Sequence, residues 1–143
     1  MQEEGDKIVV IEKLSNLLAY LVELKKQGKF QWAIELIDST FLEYLSLDCT
    51  NSIQLSEDFI TDFFENYKDS TPDMLSRFAE LFNEKGNLLY TQNRFKESKD
   101  TLSNALTIYF FLNDNQDIFS FARMNKMTMI NEKLAQIDLK INS

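Results

Sequence analysis

The chain has few of the residues on which most enzymes and metalloproteins depend. It contains no histidine and a single cysteine, Cys49, among 143 residues. The absence of histidine removes the commonest general base and the commonest metal ligand. One cysteine supplies neither a Cys–His pair nor a set of thiolate ligands. The three glycines, at positions 5, 28 and 86, are too widely separated to form a phosphate-binding loop. We therefore expect a non-enzymatic protein with no catalytic residues, no cofactor and no metal site.

Glycine and proline are scarce as well, which argues against a fold built on tight turns. The sequence has three glycines and one proline, and apolar residues make up 44% of it. Leucine, lysine and glutamate are frequent, and all three favour helices. No segment shows the sustained alternation of a strand. The composition predicts an all-α protein, and the length is that of one domain with its own core.

Positive charge is in deficit, and this excludes two classes of partner. The net charge is −8, and no run of lysine or arginine forms a basic patch. Proteins that bind nucleic acid or an anionic membrane surface need such a patch. No apolar run approaches the roughly 18 residues of a membrane span. The acidic first residues do not match a secretory signal, and a lone cysteine fits a reducing compartment. We expect a cytoplasmic protein with no nucleic-acid or membrane partner.

Apolar residues at spacings of three and four predict about six helices arranged as three antiparallel hairpins. Short polar segments separate them, with helix-capping residues at Ser56 and Thr71. In domain terms, residues 1–143 form one unit: a disordered N-terminus (1–6), a first hairpin (7–47), a middle helix with a second hairpin (56–113), and a capping helix (118–141). The predicted helices span residues 7–27, 30–47, 56–67, 72–91, 94–113 and 118–141, and a polar linker spans 113–117.

The stretch from Gly86 to Leu106 is the most informative part of the chain. Gly86 lies on one predicted helix, the polar turn Gln92–Arg94 follows, and the next helix carries small residues at Ser98 and Ala105. Small side chains on facing helices let the two axes approach to the short end of the usual range of about 8–10 Å. The pattern therefore predicts a tightly packed antiparallel hairpin.

This stretch resembles a tetratricopeptide repeat (TPR). The turn at Gly28–Ala33 repeats the order of turn residue, basic residue, aromatic and small residue that is found at Asn93–Ser98. The two turns lie at nearly twice the 34-residue TPR period. Leu21 and Thr40 depart from the small residues of the family pattern, and its closing proline is absent. The resemblance extends to short bacterial proteins with one or two TPR-like hairpins, and it implies hairpins stacked as a short right-handed superhelix.

The resemblance implies a module for protein–protein interaction, an adaptor or scaffold that binds a peptide or protein. Positions off the predicted packing stripes give four candidate partner-binding residues: Asn83, Asn87, Tyr90 and Lys99. Residues 48–73 carry seven acids against one base, Lys68. Such a segment can attract a basic partner or can simply be a solvated face. Glu80 and Glu84 share a helix face, but without histidines they do not form a di-iron site, and we expect that face to be solvated.

The abundance of phenylalanine suggests an alternative function. The chain has twelve phenylalanines, including the adjacent pairs Phe63–Phe64 and Phe110–Phe111. Adjacent residues point to different faces of a helix, so some of these rings must contact a second helix layer, a partner or another copy of the chain. The alternative is a self-associating structural protein that forms a homodimer through its excess phenylalanines.

Overall fold

The computed structural model describes residues 2–67, 71–115 and 120–143, with side chains from Val9 onward. Within these residues the protein consists of six α-helices, and neighbouring helices pack antiparallel, as the sequence predicts. The helices are α1 (Gln2–Lys26), α2 (Phe30–Leu45), α3 (Glu57–Asn66), α4 (Pro72–Thr91), α5 (Phe95–Asn115) and α6 (Phe121–Ile141).

Local sequence signals set several of the helix ends. The Ser56 hydroxyl accepts a hydrogen bond from the Phe59 amide at 3.0 Å, and the Thr71 hydroxyl accepts one from the Met74 amide at 3.1 Å. These bonds satisfy amide groups that have no partner within the helix. Both predicted caps are confirmed. Pro72 follows Thr71 at the start of α4, where its missing N–H costs nothing.

Several helix ends differ from the prediction. The helix α1 begins at Gln2, so residues 2–6 are helical where we expected a disordered terminus. The apolar spacing that located α1 begins only at Ile8 and gives no signal for a polar first turn. The helix α2 ends at Leu45 rather than Leu47, because Ser46 takes a left-handed conformation with φ of 55° and its N–H bonds to the Phe41 carbonyl.

The helix α5 continues through Asn115, so residues 113–115 are not part of a linker. The Asn115 side chain donates to the Phe111 carbonyl at 2.9 Å, which stabilises the last turn. The rest of the predicted linker and the predicted start of the last helix at Ile118 lie outside the described residues. The helix α6 is described from Phe121, after a cap at Ser120.

The helices α4 and α5 share the most extensive contact among the described helices. The Ser98 hydroxyl donates to the Gly86 carbonyl at 2.6 Å. A methyl group on Gly86 would lie 2.5 Å from both Cγ and Cδ2 of Leu102. Ser98, Leu102 and Ala105 are completely buried. The small-residue contact predicted for this hairpin is therefore confirmed, and only glycine fits at position 86 without displacing Leu102.

The remaining helices pack around this hairpin. The helices α1 and α2 contact α4, whereas α3 and α6 contact α5. The rings of Phe41 and Phe82 stack with centroids 4.0 Å apart and join α2 to α4. Phe64 and Phe111, with centroids 5.4 Å apart, join α3 to α5. One continuous core results, with α4 and α5 at its centre.

Replacing Gly86 by alanine tests the close contact between α4 and α5. Replacing glycine by alanine inside a helix stabilises the folded state by about 1 kcal/mol through helix propensity. Overpacking a core destabilises the folded state by about 1–3 kcal/mol. We expect Gly86→Ala to lower the free energy of unfolding by about 1 kcal/mol, measured by urea denaturation. In a Leu102→Ala background the clash is absent, and the same substitution should stabilise the protein. An equal effect in both backgrounds would show that Leu102 does not limit the contact.

Candidate functional site

Three of the four predicted partner-binding residues share one face of α4. Asn83, Asn87 and Tyr90 follow one another at spacings of four and three residues, which aligns side chains along a helix. Asn87 Nδ2 donates to Asn83 Oδ1 at 3.1 Å. All three side chains are partly exposed. We call this surface, formed by Asn83, Asn87 and Tyr90, the α4 face.

The helix α1 borders the α4 face on one side. Arg77 Nε donates to Ser15 Oγ at 3.1 Å. Further along, Lys25 Nζ forms an ion pair with a Glu84 carboxylate oxygen at 2.7 Å. Both contacts join α1 to α4. They also correct our expectation for Glu84, whose side chain is 28% exposed and paired with a lysine rather than freely solvated.

The helix α6 borders the α4 face on the other side. Lys126 Nζ lies 3.0 Å from Glu80 Oε1, so the Glu80 carboxylate is also paired. Lys133 Nζ lies 4.2 Å from the centroid of the Tyr90 ring, within cation–π range. The Tyr90 ring also packs edge-on against Phe95, with centroids 5.2 Å apart. The α4 face therefore lies in the space between α1 and α6.

The fourth predicted residue, Lys99, lies on a different helix. It belongs to α5, where its Nζ forms an ion pair with Asp138 of α6 at 2.8 Å. The hydrogen bond to Asp138 raises the pKa of Lys99 above its ordinary value. The side chain remains 47% exposed. The structure thus groups three of the candidates on α4, and it joins Lys99 to α6 instead.

A buried lysine, which we did not predict, lies on the opposite side of α4. The Lys85 side chain is 8% exposed, and its Nζ lies 2.6 Å from Asp38 Oδ1. It also donates to the Cys49 carbonyl at 2.6 Å. Burial raises the pKa of Asp38, while the bond to Lys85 acts in the opposite direction. The burial of Lys85 could have been predicted from the sequence, because Lys85 follows the apolar residues Phe78 and Phe82 at helical spacing and so shares their helix face.

A second buried polar side chain, Asn104 on α5, holds the loop between α2 and α3. Asn104 Oδ1 accepts from the Leu55 amide at 2.8 Å, and its Nδ2 donates to the Ile53 carbonyl at 2.9 Å. Asn104 is 3% exposed. Buried backbone groups need such partners when no helix or strand supplies them. Lys85 and Asn104 therefore fix the loop against α4 and α5, which is a structural role.

Cys49 lies in this loop, and its thiol has low reactivity. Its side chain is 3% exposed. Burial raises the pKa of its thiol from 9.0 to about 11. Since the thiolate is the reactive form, the thiol is a poor nucleophile near neutral pH. The cavity beside it, lined in part by Lys85 and Asn104, has a volume of about 10 Å³, too small for a substrate.

Neither a metal cluster nor a membrane span is found in the described part of the chain. No group of three or more histidine, cysteine, aspartate or glutamate side chains among the described residues could hold a metal ion. None of the described helices combines the length and the apolar character needed to cross a bilayer. Comparison with protein-family models, with curated proteins and with solved structures finds no significant match to this chain.

The reactivity of Cys49 tests whether Asn104 holds the loop. At pH 8 the thiolate fraction in the folded protein should be about a hundredfold below that of the unfolded chain, because the pKa is higher by about two units. We expect slow labelling of the native protein by a disulfide reagent. Asn104→Ala should speed labelling by releasing the backbone around Ile53 and Leu55. Ser103→Ala, at a partly exposed neighbouring position, is the control. Equal rates in both variants would contradict this role of Asn104.

Proposed function

We propose that this chain is a TPR-like, non-catalytic module that binds a protein or peptide on the α4 face. One observation carries the proposal. Asn83, Asn87 and Tyr90 gather on one partly exposed side of α4, and contacts to α1 and α6 border that side. A surface between two flanking helices accommodates an elongated partner better than a flat surface does.

The chemistry of the α4 face suits a polypeptide partner. Each asparagine carries both a donor and an acceptor, so it can pair with the amide and carbonyl groups of a peptide backbone. Tyr90 adds a ring with a polar tip, a residue type enriched at interfaces. Partner binding would exchange the Asn83–Asn87 bond for bonds to the peptide. This role requires no turnover.

The two hairpin turns support the TPR-like assignment. Gly28 and Asn93, which align in the sequence comparison of the turns, have φ of 72° and 63°. The next residues, Lys29 and Arg94, donate to the Leu24 and Leu89 carbonyls, each at 2.9 Å. The two turns thus form equivalent backbone hydrogen bonds at positions that lie 65 residues apart, 28 and 29 in the first turn and 93 and 94 in the second. This equivalence is what a pair of related hairpins predicts.

The acidic segment supplies a second feature of the proposed partner. The helix α3 exposes Glu57, Asp58, Asp62 and Glu65 to solvent. Around the α4 face, by contrast, acids and bases are paired with one another. A basic region of a partner would therefore be attracted to α3 rather than to the α4 face.

Self-association is the competing function. Exposed apolar side chains on α6 support it more than the overall abundance of phenylalanine does. Most described phenylalanine rings pack in or against the core. Large apolar side chains do remain exposed on α6: Phe121 at 78%, Leu139 at 75% and Met129 at 66%. A homodimer would bury this side of α6, and the α4 face would then stay unoccupied.

Capture of partners from lysate of the source cells by the immobilised protein tests the proposal. We compare the wild type with Asn83→Ala/Asn87→Ala on the α4 face. Asn125→Ala/Asn131→Ala is the matched control, since it removes two exposed asparagines from α6. Wild type and control should retain the same protein, and the α4-face variant should lose most of it.

Two results would contradict the proposal. Retention of the same protein by the α4-face variant would place the binding surface elsewhere. A stable dimer by light scattering, with no other protein captured, would favour self-association. Circular dichroism of each variant checks that the helices are intact.

A further inference from the structure

The outward side of α2 carries two large apolar side chains that remain more than half exposed. They are Trp32, at 55%, and Leu42, at 58%. Together with the exposed residues Glu35 and Ser39, they follow one another at spacings of three and four, which aligns them along the helix. We call this stripe, formed by Trp32, Glu35, Ser39 and Leu42, the α2 face. It points away from α4, against which α2 packs through Phe41.

A cavity of about 210 Å³ lies beside the α2 face, and its lining is acidic. Glu35 and Leu42 line it from α2, and Asp48 lines it from the loop that follows. Asp38 contributes as well, but its carboxylate is paired with buried Lys85. Within the described part of the chain, no lysine or arginine forms an ion pair with Glu35 or Asp48. The cavity therefore has two carboxylates that a positive side chain from outside could pair with.

The Asp48 carboxylate keeps its negative charge at neutral pH. Its Oδ1 accepts hydrogen bonds from Thr50 Oγ1 at 2.6 Å and from the Thr50 amide at 3.1 Å. These bonds lower the pKa of Asp48. They also fix the orientation of the carboxylate, so that it is already placed for a cationic group.

A second cavity, of about 290 Å³, lies on the other side of Ser39, which lines both cavities. Leu14 and Leu17 of α1 and Leu36 of α2 supply apolar lining. One lysine and one glutamate also line it, and their charges offset each other. This second cavity suits an apolar side chain, whereas the first suits a basic one.

The length of the α2 face indicates a polypeptide rather than a small molecule. Trp32 and Leu42 are ten residues apart, which is about 15 Å along a helix. Lys29 Nζ approaches the Trp32 ring to 5.7 Å from its centroid, and more than half of the Trp32 side chain is still exposed. A segment of chain can span this distance and contact both apolar side chains.

We propose that the α2 face is a second protein-interaction surface, and that its partner is a polypeptide segment with a lysine or arginine among apolar residues. The basic side chain enters the acidic cavity and pairs with Glu35 and Asp48. Neighbouring apolar side chains contact Trp32 and Leu42 and fill the second cavity. The charges across the interface are complementary, which sets the choice of partner. This surface is separate from the α4 face, and the inference does not depend on binding there.

Trp32 is the only tryptophan in the chain, so its fluorescence reports directly on the α2 face. A displayed library of short peptides without tryptophan is selected on the whole chain, and the enriched peptides are then titrated into it. We expect these peptides to combine lysine or arginine with apolar residues. On binding, the Trp32 emission should shift to shorter wavelength, because the ring loses contact with water.

Paired variants test the role of the carboxylates. Glu35→Gln/Asp48→Asn should weaken binding of the enriched peptides about tenfold, through loss of two ion pairs. Leu42→Ser should weaken it as well. Asp62→Asn/Glu65→Gln is the matched control, because it removes one aspartate and one glutamate from exposed positions of α3. It should leave the affinity nearly unchanged, and circular dichroism checks that each variant is folded.

Four results would overturn the proposal. They are enrichment of no peptide, enrichment of peptides without basic residues, binding that leaves the Trp32 emission unchanged, and equal weakening by the α3 control. The last result would show that the net charge of the chain, and not the α2 face, attracts the peptides. Peptides that lose affinity for Asn83→Ala/Asn87→Ala and do not change the Trp32 emission would support the α4 face alone, so the two proposals can fail separately.

Discussion

The close approach of α4 and α5 at Gly86 is the constraint on which the other contacts depend. With no side chain at position 86, Leu102 fills the space and the Ser98 hydroxyl reaches the Gly86 carbonyl at 2.6 Å. This contact occupies one side of each helix. The free sides of α4 then receive α1 and α2, and those of α5 receive α3 and α6. The α4 face is positioned by this one hairpin.

Buried polar groups determine how the connecting loop lies on that hairpin. Lys85 reaches a carboxylate and a backbone carbonyl, while Asn104 pairs with both an amide and a carbonyl of the loop. Every one of these buried groups has a partner, which is the condition for a polar group to be tolerated in a core. Among the described residues, the buried hydroxyl of Tyr109 is the exception, because it has no hydrogen-bond partner. We therefore assign Lys85 and Asn104 a structural role.

Local features were predictable from the sequence, and distant pairings were not. The caps at Ser56 and Thr71, and the small residues that let α4 and α5 meet, are encoded within a few residues of where they act. Lys85 and Asp38 lie 47 positions apart, and no local pattern specifies that they meet. The α4 face falls between these cases, because helical spacing groups Asn83, Asn87 and Tyr90, but only tertiary packing shows which helices border them.

The most direct test of this account is native-state hydrogen exchange, resolved by residue. If the α4–α5 contact organises the fold, amides of α4 and α5 near Gly86 and Leu102 should exchange slowest, through global unfolding only. Amides of α1 and α6, which pack on the outside of this hairpin, should open at lower free energy. Slower exchange in α1 and α2 than in α4 and α5 would contradict the account, because the first hairpin would then be the stable centre of the molecule.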